Sequence, residues 1–213
     1  MKVTKLGHCC LIIETSGKRI MTDPGSYTVA EQAQEKNIDL ILITHEHGDH
    51  LHIDSLKKVL INNPNIKIIT NSDVGKLLNE AGIKYEVLEN KVTQKILGIE
   101  LEAHDCRHEE IFEEIGQVKN TGYFIDKRLF YPGDAFYNPG KPVDILALPV
   151  AGPWTRVKDA IKYALDVKPR ICFPVHDGML SPNFGTAHKV PGMVLPKFNI
   201  IFKTLEGQKE EDL

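Results

Sequence analysis

The stretch that decides the fold is residues 39–50, which read Asp39-Leu40-Ile41-Leu42-Ile43-Thr44-His45-Glu46-His47-Gly48-Asp49-His50. Its first half is a continuous apolar run between polar flanks, which is typical of a strand covered on both faces. Four metal-ligating side chains follow at once, at the carboxyl end of that strand, where α/β folds place their chemistry. We therefore predict a buried strand that ends in a metal-binding loop.

The spacing within this loop predicts two adjacent metal positions. In an extended backbone, His45 and His47 project to the same side, so their two imidazoles can hold one ion. Gly48 allows a sharp turn, after which Asp49 and His50 point towards a neighbouring position at the start of a helix. Imidazole together with carboxylate suits first-row divalent metals, so we predict two divalent ions, with Zn²⁺ favoured and Mn²⁺ or Fe²⁺ as alternatives.

Further segments also place a ligand-type side chain directly after an apolar run. Each has an ordinary explanation when taken alone, as a loop residue, a turn former or a polar group beside a helix. Their repetition at strand ends, together with the histidine-rich loop, favours a shared site. The residues are His104 after the strand predicted over 92–103, Asp134 after 117–131 and His176 after 170–175.

The rest of the chain reads as strands that come first as hairpins and then alternate with helices, in both halves. This order is typical of layered sheets with helices outside. The apolar spacing predicts helices over 53–60, 73–81 and 157–167. The other predicted strands are 3–13, 19–21, 65–70, 83–88 and 143–150, and the charged residues 207–213 are expected to fray.

Composition narrows the class of protein. The chain has 213 residues, 26 basic against 29 acidic side chains and a formal net charge of −3. This length predicts one domain over 1–213, and the charge balance excludes a dedicated nucleic-acid surface. The sequence lacks an apolar run of membrane-spanning length and a signal peptide, and its cysteines (Cys9, Cys10, Cys106 and Cys172) form no Cys-x-x-Cys pair. We read all four as reduced thiols and expect a cytoplasmic protein.

The motif His-x-His-x-Asp-His, followed by a strand-end His, a Gly-Asp and a final His, resembles the metallo-β-lactamase superfamily over nearly the whole chain. Residues 7–12, 22–24 and 130–134 are similar to the small prokaryotic metal-dependent hydrolases near ascorbate-6-phosphate lactonase. Residues 103–107 are similar to the third-histidine segment of the N-acyl phosphatidylethanolamine phospholipase D branch. The resemblance implies an α/β fold, a four-layer αββα sandwich with a binuclear site between its two sheets.

The resemblance also implies a ligand set. His104 is favoured over His108 as the third histidine because it stands directly at the predicted strand end. Cys106 is interpreted as packing. In the implied arrangement one metal is held by His45, His47 and His104, the other by Asp49, His50 and His176, and Asp134 bridges the two.

A site of this kind predicts a hydrolase for a small-molecule substrate. We expect a metal-bridging hydroxide to attack an ester, lactone, amide or phosphodiester, with Asp49 orienting the water or relaying a proton. His8 is a candidate contact to the substrate, and Asp23 is either a partner of a ligand histidine or a turn residue. Trp154 is expected in the core rather than on the pocket wall.

Two other functions stay open in the sequence. A redox protein resembling the flavodiiron branch would carry Glu in place of His47 and an added flavin domain. A nuclease would need an added RNA-gripping domain, although a small phosphodiesterase remains compatible with this length. The substrate and the oligomeric state are not predicted, and residues 181–196 are a candidate lid over the metals.

Overall fold

The computed structural model describes residues 1–115, 117–181, 185–205 and 208–213. Its first part contains β1 (Lys2–Gly7), β2 (Cys10–Thr15), β3 (Lys18–Thr22), α1 (Val29–Gln32), β4 (Leu40–Leu42), α2 (Ile53–Asn62), β5 (Lys67–Thr70), α3 (Ser72–Glu80), β6 (Glu86–Val87) and β7 (Thr93–Ile96). The remainder contains β8 (Ile99–Arg107), β9 (Lys119–Ile125), β10 (Leu129–Tyr131), β11 (Ile145–Pro149), α4 (Val157–Val167), β12 (Ile171–Val175), α5 (Thr186–Val194), β13 (Ile201–Phe202) and β14 (Glu211–Asp212). Short 3₁₀ turns lie at Ser26–Thr28 and Leu195–Phe198.

These strands form two mixed sheets of similar design. The first has the order β14-β1-β2-β3-β4-β5-β6, and the second has the order β13-β12-β11-β10-β9-β8-β7. In the first sheet β1, β2 and β3 pair as antiparallel hairpins, and β3 to β6 run parallel. In the second, β7 to β10 are antiparallel and β10 to β13 are parallel. The predicted change from hairpins to alternating strands and helices is confirmed.

Side-chain alternation along the strands divides the core into layers. In β2, Leu11 and Ile13 pack between the two sheets, whereas Cys10 and Ile12 pack towards α2 and α3. In β11, Ile145 packs between the sheets while Leu146 packs towards α4 and α5. Both faces of each sheet are therefore covered, and the predicted four-layer αββα sandwich is confirmed.

The helices lie largely where apolar spacing placed them. The bounds of α4 agree with the prediction of 157–167, and α2 and α3 differ from theirs by at most two residues. The sequence did not predict α5, because Pro191 lies inside it and proline usually interrupts a helix. Since its Ala187 is buried with α4, residues 186–194 form part of the outer layer. The candidate lid segment 181–196 includes residues 182–184, which lie outside the described residues.

Other departures concern strand ends. The predicted strand 3–13 is two antiparallel strands, because Gly7 and His8 have φ of +155° and +50° and turn the chain. β8 continues to Arg107, four residues past its predicted end. The expectation that the last residues fray is wrong for residues 211–213, since β14 pairs with β1 and the Leu213 N–H donates to the Met1 carbonyl at 2.9 Å. Within the described part of the chain, no helix combines the length and hydrophobicity needed to cross a bilayer.

Hydrogen bonds between charged side chains link the starts of three neighbouring strands in the second sheet. Asp144, just before β11, accepts hydrogen bonds from Arg128 Nε and Nη2 at 2.9 and 2.7 Å and from Arg170 Nε at 2.6 Å. Arg128 precedes β10 and Arg170 precedes β12. The hydrogen bond from Arg170, and then that from Arg128, lowers the pKa of the Asp144 carboxyl.

Replacing this carboxylate by an amide should make stability less sensitive to acid. Because the pKa of Asp144 is lower in the folded chain than its unfolded value of about 3.9, its stabilisation is complete at neutral pH and is lost as pH falls through the folded pKa. We expect Asp144→Asn to lower the free energy of unfolding by about 1 kcal/mol at pH 7, with the difference shrinking in acid. Urea unfolding at several pH values measures this, with Glu113→Gln, an exposed carboxylate, as control. An equal loss at every pH would contradict it.

Candidate metal centre

Loops from both sheets meet at one edge of the sandwich, around the carboxylate of Asp134. This residue follows β10, and its Oδ2 lies 2.7 Å from His176 Nε2, 3.2 Å from His108 Nε2 and 3.9 Å from His45 Nε2. Its Oδ1 lies 3.2 Å from His50 Nε2. The Asp134 side chain is 1% exposed. Four imidazoles therefore converge on one buried carboxylate.

Two groups of metal-ligand atoms flank this carboxylate. In each group one ligand atom per residue lies within 4.8 Å of all the others. The first group joins His45 and His47 of the histidine-rich loop with His108, which directly follows β8. The second group joins His8, Asp49, His50 and His176. This His/Asp cluster is therefore able to bind metal.

Each of the four imidazoles around Asp134 is held through its Nδ1 atom. Nδ1 of His108 donates to the Glu109 carbonyl at 2.5 Å, and Nδ1 of His176 donates to the Ala151 carbonyl at 2.5 Å. His50 Nδ1 donates to Asp23 Oδ2 at 2.7 Å. His45 Nδ1 lies 3.0 Å from Thr44 Oγ1, whose own proton goes to Asp23. This pattern places a proton on each Nδ1 and directs every Nε2 atom into the site.

Asp23 supports the site from behind. It is fully buried and accepts four hydrogen bonds: from the Thr44 N–H and hydroxyl at 2.8 Å each, from His50 Nδ1 and from the Tyr131 hydroxyl at 2.6 Å. The sequence left two roles open for Asp23, a partner of a ligand histidine or a turn residue. The structure shows that its carboxylate is the hydrogen-bond partner of His50, a ligand-type histidine. The residue ties the ends of β3, β4 and β10 together.

At two glycines of the site, the neighbouring atoms leave no room for a side chain. Gly133 has a φ of +65°, and a Cβ there would lie 2.2 Å from Asn120 Oδ1. Asn120 in turn accepts the Asp134 N–H at 3.1 Å and donates to the Pro132 carbonyl at 2.8 Å, which fixes the Asp134 backbone. A Cβ on Gly25 would lie 1.7 Å from the Asp49 carbonyl oxygen. Both glycines therefore allow close approach of backbone to the ligand loops.

Residues at the site also adopt left-handed backbone conformations. His8, Asp23 and His176 have φ of +50°, +36° and +57°. Such conformations cost about 1–3 kcal/mol each in a residue other than glycine, and they concentrate where function requires a particular side-chain direction. The surrounding hydrogen bonds hold them in place.

Burial and charge together set the protonation of the cluster. Burial lowers the pKa of His45 and, beside His108, that of His47, so both rings are neutral at pH 7, the form that binds metals. Burial alone would raise the pKa of Asp49 and lower that of His176. Hydrogen bonds from His176 and His8 nevertheless hold the Asp49 pKa well below its usual range, and the Asp134 charge raises the His176 pKa to about 11. The carboxylates thus make the site attractive to cations.

Several buried atoms of the centre lack hydrogen-bond partners within the described part of the chain. They are His45 Nε2, His50 Nε2 and Asp134 Oδ1. The last two lie 3.2 Å apart, but not at the angle of a hydrogen bond. A buried polar atom without a partner is destabilising by about 1–3 kcal/mol. Since all of these are ligand-type atoms that face one another, the donor set fits divalent cations.

Six of the seven sequence-predicted ligands come together in this centre, and His104 does not. In β8, Ile99, Leu101 and Ala103 face the space between the sheets, so the next residue points to the opposite face. There the His104 ring packs against Phe130 and Tyr137, with centroids 5.4 Å from each. The sequence preference for His104 over His108 is therefore wrong, because β8 extends four residues further than predicted. Its alternating apolar positions are the signal that would have excluded His104.

His8 lies at the site, but its ring is buried against Asp49 and is not exposed to an incoming substrate. It is 2% exposed, and its Nδ1 accepts the Gly178 N–H at 3.0 Å. Its Nε2 therefore carries the proton and donates to Asp49 Oδ2 at 3.1 Å. The ring of Tyr27, a residue that sequence reasoning missed, stacks on His8 with centroids 4.5 Å apart.

Trp154 forms part of the wall of the site, so its expected place in the core is wrong. Its ring lies edge-on to His108 and His176, with centroids 5.7 and 5.4 Å away. The indole also contacts Phe136. Its position after β11, a strand that points to the same edge as β10 and β12, was the available signal.

This architecture and its histidine cluster agree with comparisons to known proteins. The profile of the β-lactamase superfamily domain matches residues 2–176. The chain belongs to the metallo-β-lactamase superfamily. Protein Rv0786c of Mycobacterium tuberculosis is 30% identical over 192 residues, which cover 86% of this chain and 87% of the relative.

Other members of the superfamily carry names that refer to metal-dependent hydrolysis. The UPF0173 metal-dependent hydrolase PH1671 of Pyrococcus horikoshii is 30% identical over 83% of this chain and 84% of its own length. A solved structure from Parabacteroides distasonis, described as a metal-dependent hydrolase, is 27% identical and superposes with a TM-score of 0.77. That superposition covers 95% of this chain and 91% of the other.

The geometry predicts that removal of the His108 ring weakens metal binding and that removal of the His104 ring does not. His108→Ala should weaken Zn²⁺ binding by at least 10-fold, the lower end of the loss seen when even an outer partner of a ligand is removed. His104→Ala should leave the affinity unchanged, because the His104 ring lies on the other face of the second sheet. Competition with a chromogenic chelator measures both affinities. Weaker binding in His104→Ala than in His108→Ala would reverse the assignment.

Proposed function

We propose that this chain is a metal-dependent hydrolase that holds two divalent ions and cleaves an ester, a lactone or a phosphodiester. The observation that carries the proposal is the convergence of four Nδ1-anchored imidazoles on the buried Asp134 carboxylate. A solvated polar loop has no need of such anchoring, whereas a metal site requires it. Relatives named as metal-dependent hydrolases support the same reaction class.

The proposed ligands divide between the two positions. The first ion would be held by His45, His47 and His108, the second by Asp49, His50 and His176, with Asp134 between them. Nitrogen and oxygen donors of this kind favour Zn²⁺, with Mn²⁺ or Fe²⁺ as alternatives. Such ions supply Lewis acidity towards a carbonyl or phosphoryl oxygen and lower the pKa of water.

The chain's own groups then position the reactants. The Asp49 side chain is 24% exposed, so it can reach both the buried centre and an incoming molecule. His8 donates to its Oδ2 and fixes its orientation, which suits Asp49 to orient a water molecule at its other oxygen. Trp154 and Tyr27 present aromatic surface beside the centre, against which an apolar part of the substrate would pack.

The motifs at 7–12, 22–24 and 130–134 support a place near the ascorbate-6-phosphate lactonase branch, with residues 1–213 as one catalytic domain. We do not propose a redox role, because His47 lies with His45 and His108 where flavodiiron relatives carry glutamate. The four cysteines are unpaired, which supports a reducing, cytoplasmic location.

Metal analysis followed by a substrate screen tests the proposal. Purified protein should contain two transition-metal ions per chain and hydrolyse a member of a panel of lactones, acyl esters and phosphodiesters, with loss of activity in chelator. Asp134→Asn should lower kcat/KM by roughly 100-fold or more, the scale on which loss of one group that stabilises the transition state acts. Glu46→Gln, an exposed neighbour of the ligands, is the matched control. An Asp134→Asn protein with both ions and full turnover would end the proposal.

His8 gives a separate test of how Asp49 is oriented. His8→Ala removes the N–H that holds Asp49 Oδ2, so we expect kcat to fall about 10- to 100-fold, with a changed pH profile and little change in KM. The comparison variant is Tyr27→Phe, which keeps the stacked ring. Steady-state kinetics across pH provides the measurement. An unchanged pH profile in His8→Ala would show that His8 is only a packing group.

A further inference from the structure

A buried thiol lies at the inner side of the centre. Cys9 follows β1, is 1% exposed and packs between the two sheets, whereas Cys10 packs towards α2 and α3. Its Sγ forms a third group of possible metal ligands with His50 and Asp134, in which the three ligand atoms lie within 4.8 Å of one another. Neither the sequence motifs nor the superfamily resemblance singled out this residue.

Two ligand-type atoms close to the Cys9 sulfur lack hydrogen-bond partners among the described residues. Among the described residues, His50 Nε2 and Asp134 Oδ1 have no hydrogen-bond partner, and both side chains are at most 1% exposed. A buried structural cysteine behaves as a small hydrophobe and has apolar neighbours. Cys9 has apolar neighbours between the sheets, but its sulfur also lies within 4.8 Å of an imidazole nitrogen and a carboxylate oxygen, both of them ligand-type atoms.

The backbone of Cys9 is fixed by the network that also fixes the ligands. Its carbonyl accepts a hydrogen bond from Thr22 Oγ1 at 2.7 Å and lies 3.0 Å from the Tyr131 hydroxyl oxygen. The same Tyr131 hydroxyl contacts Asp23, which holds His50. The left-handed conformation of His8 turns the chain immediately before Cys9. The Cys9 backbone is therefore held in a set position relative to His50.

We propose that Cys9 is a thiolate ligand of the second ion, alongside His50 and Asp134. The inference rests on the proposed two-metal function and deepens it by assigning metal preference. On binding, the S–H bond breaks, a metal–sulfur bond forms, and the proton is released to solvent. Because sulfur is a soft ligand, this position selects Zn²⁺ over Mn²⁺ or Mg²⁺, which prefer oxygen ligands.

Cobalt substitution tests the assignment without relying on turnover. Co²⁺ bound through sulfur shows intense charge-transfer absorption in the near ultraviolet, in addition to its visible d–d bands. We expect both features in the wild-type protein, and loss of the charge-transfer absorption in Cys9→Ser with the visible bands retained. The affinity for the second Co²⁺ should fall at least 10-fold. The matched control is Cys10→Ser, which makes the same change on the opposite face of the first sheet and should keep the charge-transfer absorption.

The possible outcomes separate this inference from the proposed function. Visible bands without charge-transfer absorption in the wild-type protein would overturn the role of Cys9 and leave the two-metal hydrolase standing. Failure of the protein to bind any Co²⁺ or Zn²⁺ would overturn both. Persistence of the charge-transfer absorption in Cys9→Ser would assign the sulfur to another cysteine and also refute the inference.

A second measurement avoids dependence on how the variant folds. X-ray absorption of the zinc-loaded wild-type protein should show sulfur at about 2.3 Å, the usual Zn–S distance, at about one sulfur per two zinc ions. Nitrogen and oxygen neighbours alone would exclude Cys9 as a ligand.

Discussion

The buried carboxylate of Asp23 is the constraint on which the arrangement of the centre depends. It accepts hydrogen bonds from a backbone amide, a threonine hydroxyl, a tyrosine hydroxyl and an imidazole, all in an interior that water does not reach. Without it, these donors would be left unsatisfied, at about 1–3 kcal/mol each. Because the donors belong to both sheets, one side chain sets the direction of His50 and links the two sheets. Thr44 extends the same control to His45.

The position of the centre follows from how the sandwich buries apolar surface. Leu42 and Tyr131 pack between the sheets, so the chain can place polar groups only where their strands end. The parallel strands of both sheets end at the same edge, and the loops that leave them carry the histidines and aspartates. The same packing explains why the donor atoms are so well shielded from solvent, which strengthens their interaction with a cation.

Much of this arrangement could be predicted from the sequence. Local patterns of apolar and polar residues indicated the buried strand before His45 and the strand-end positions of Asp134 and His176. The same patterns indicated the alternation of strands and helices. His108 was misjudged because the end of β8 depends on its pairing with β9, which local pattern does not reveal. Hairpin turns and apolar spacing allowed the layers of the sandwich to be predicted. The short strand β14 has too little apolar character to be recognised before its pairing with β1 is known.

Roles that depend on contacts between distant residues were harder to predict. Asp23 and His8 were recognised only as candidates, since their partners lie up to 170 positions away in the chain. Cys9 was recognised only as a reduced thiol, because His50 and Asp134, which lie beside its sulfur, come from distant parts of the chain. Trp154 was misplaced for the same reason. Tertiary packing, rather than propensity, decides these positions.

The distribution of the cluster along the chain also has a consequence during synthesis. The histidine-rich loop leaves the ribosome roughly 130 residues before His176, which at about 5–20 residues per second is an interval on the order of ten seconds. During that interval the nascent chain exposes imidazoles and thiols without the carboxylate and histidine that complete their surroundings. Only the arrival of β12 brings the last of them into place. The cluster is therefore complete only after β12 has been synthesised.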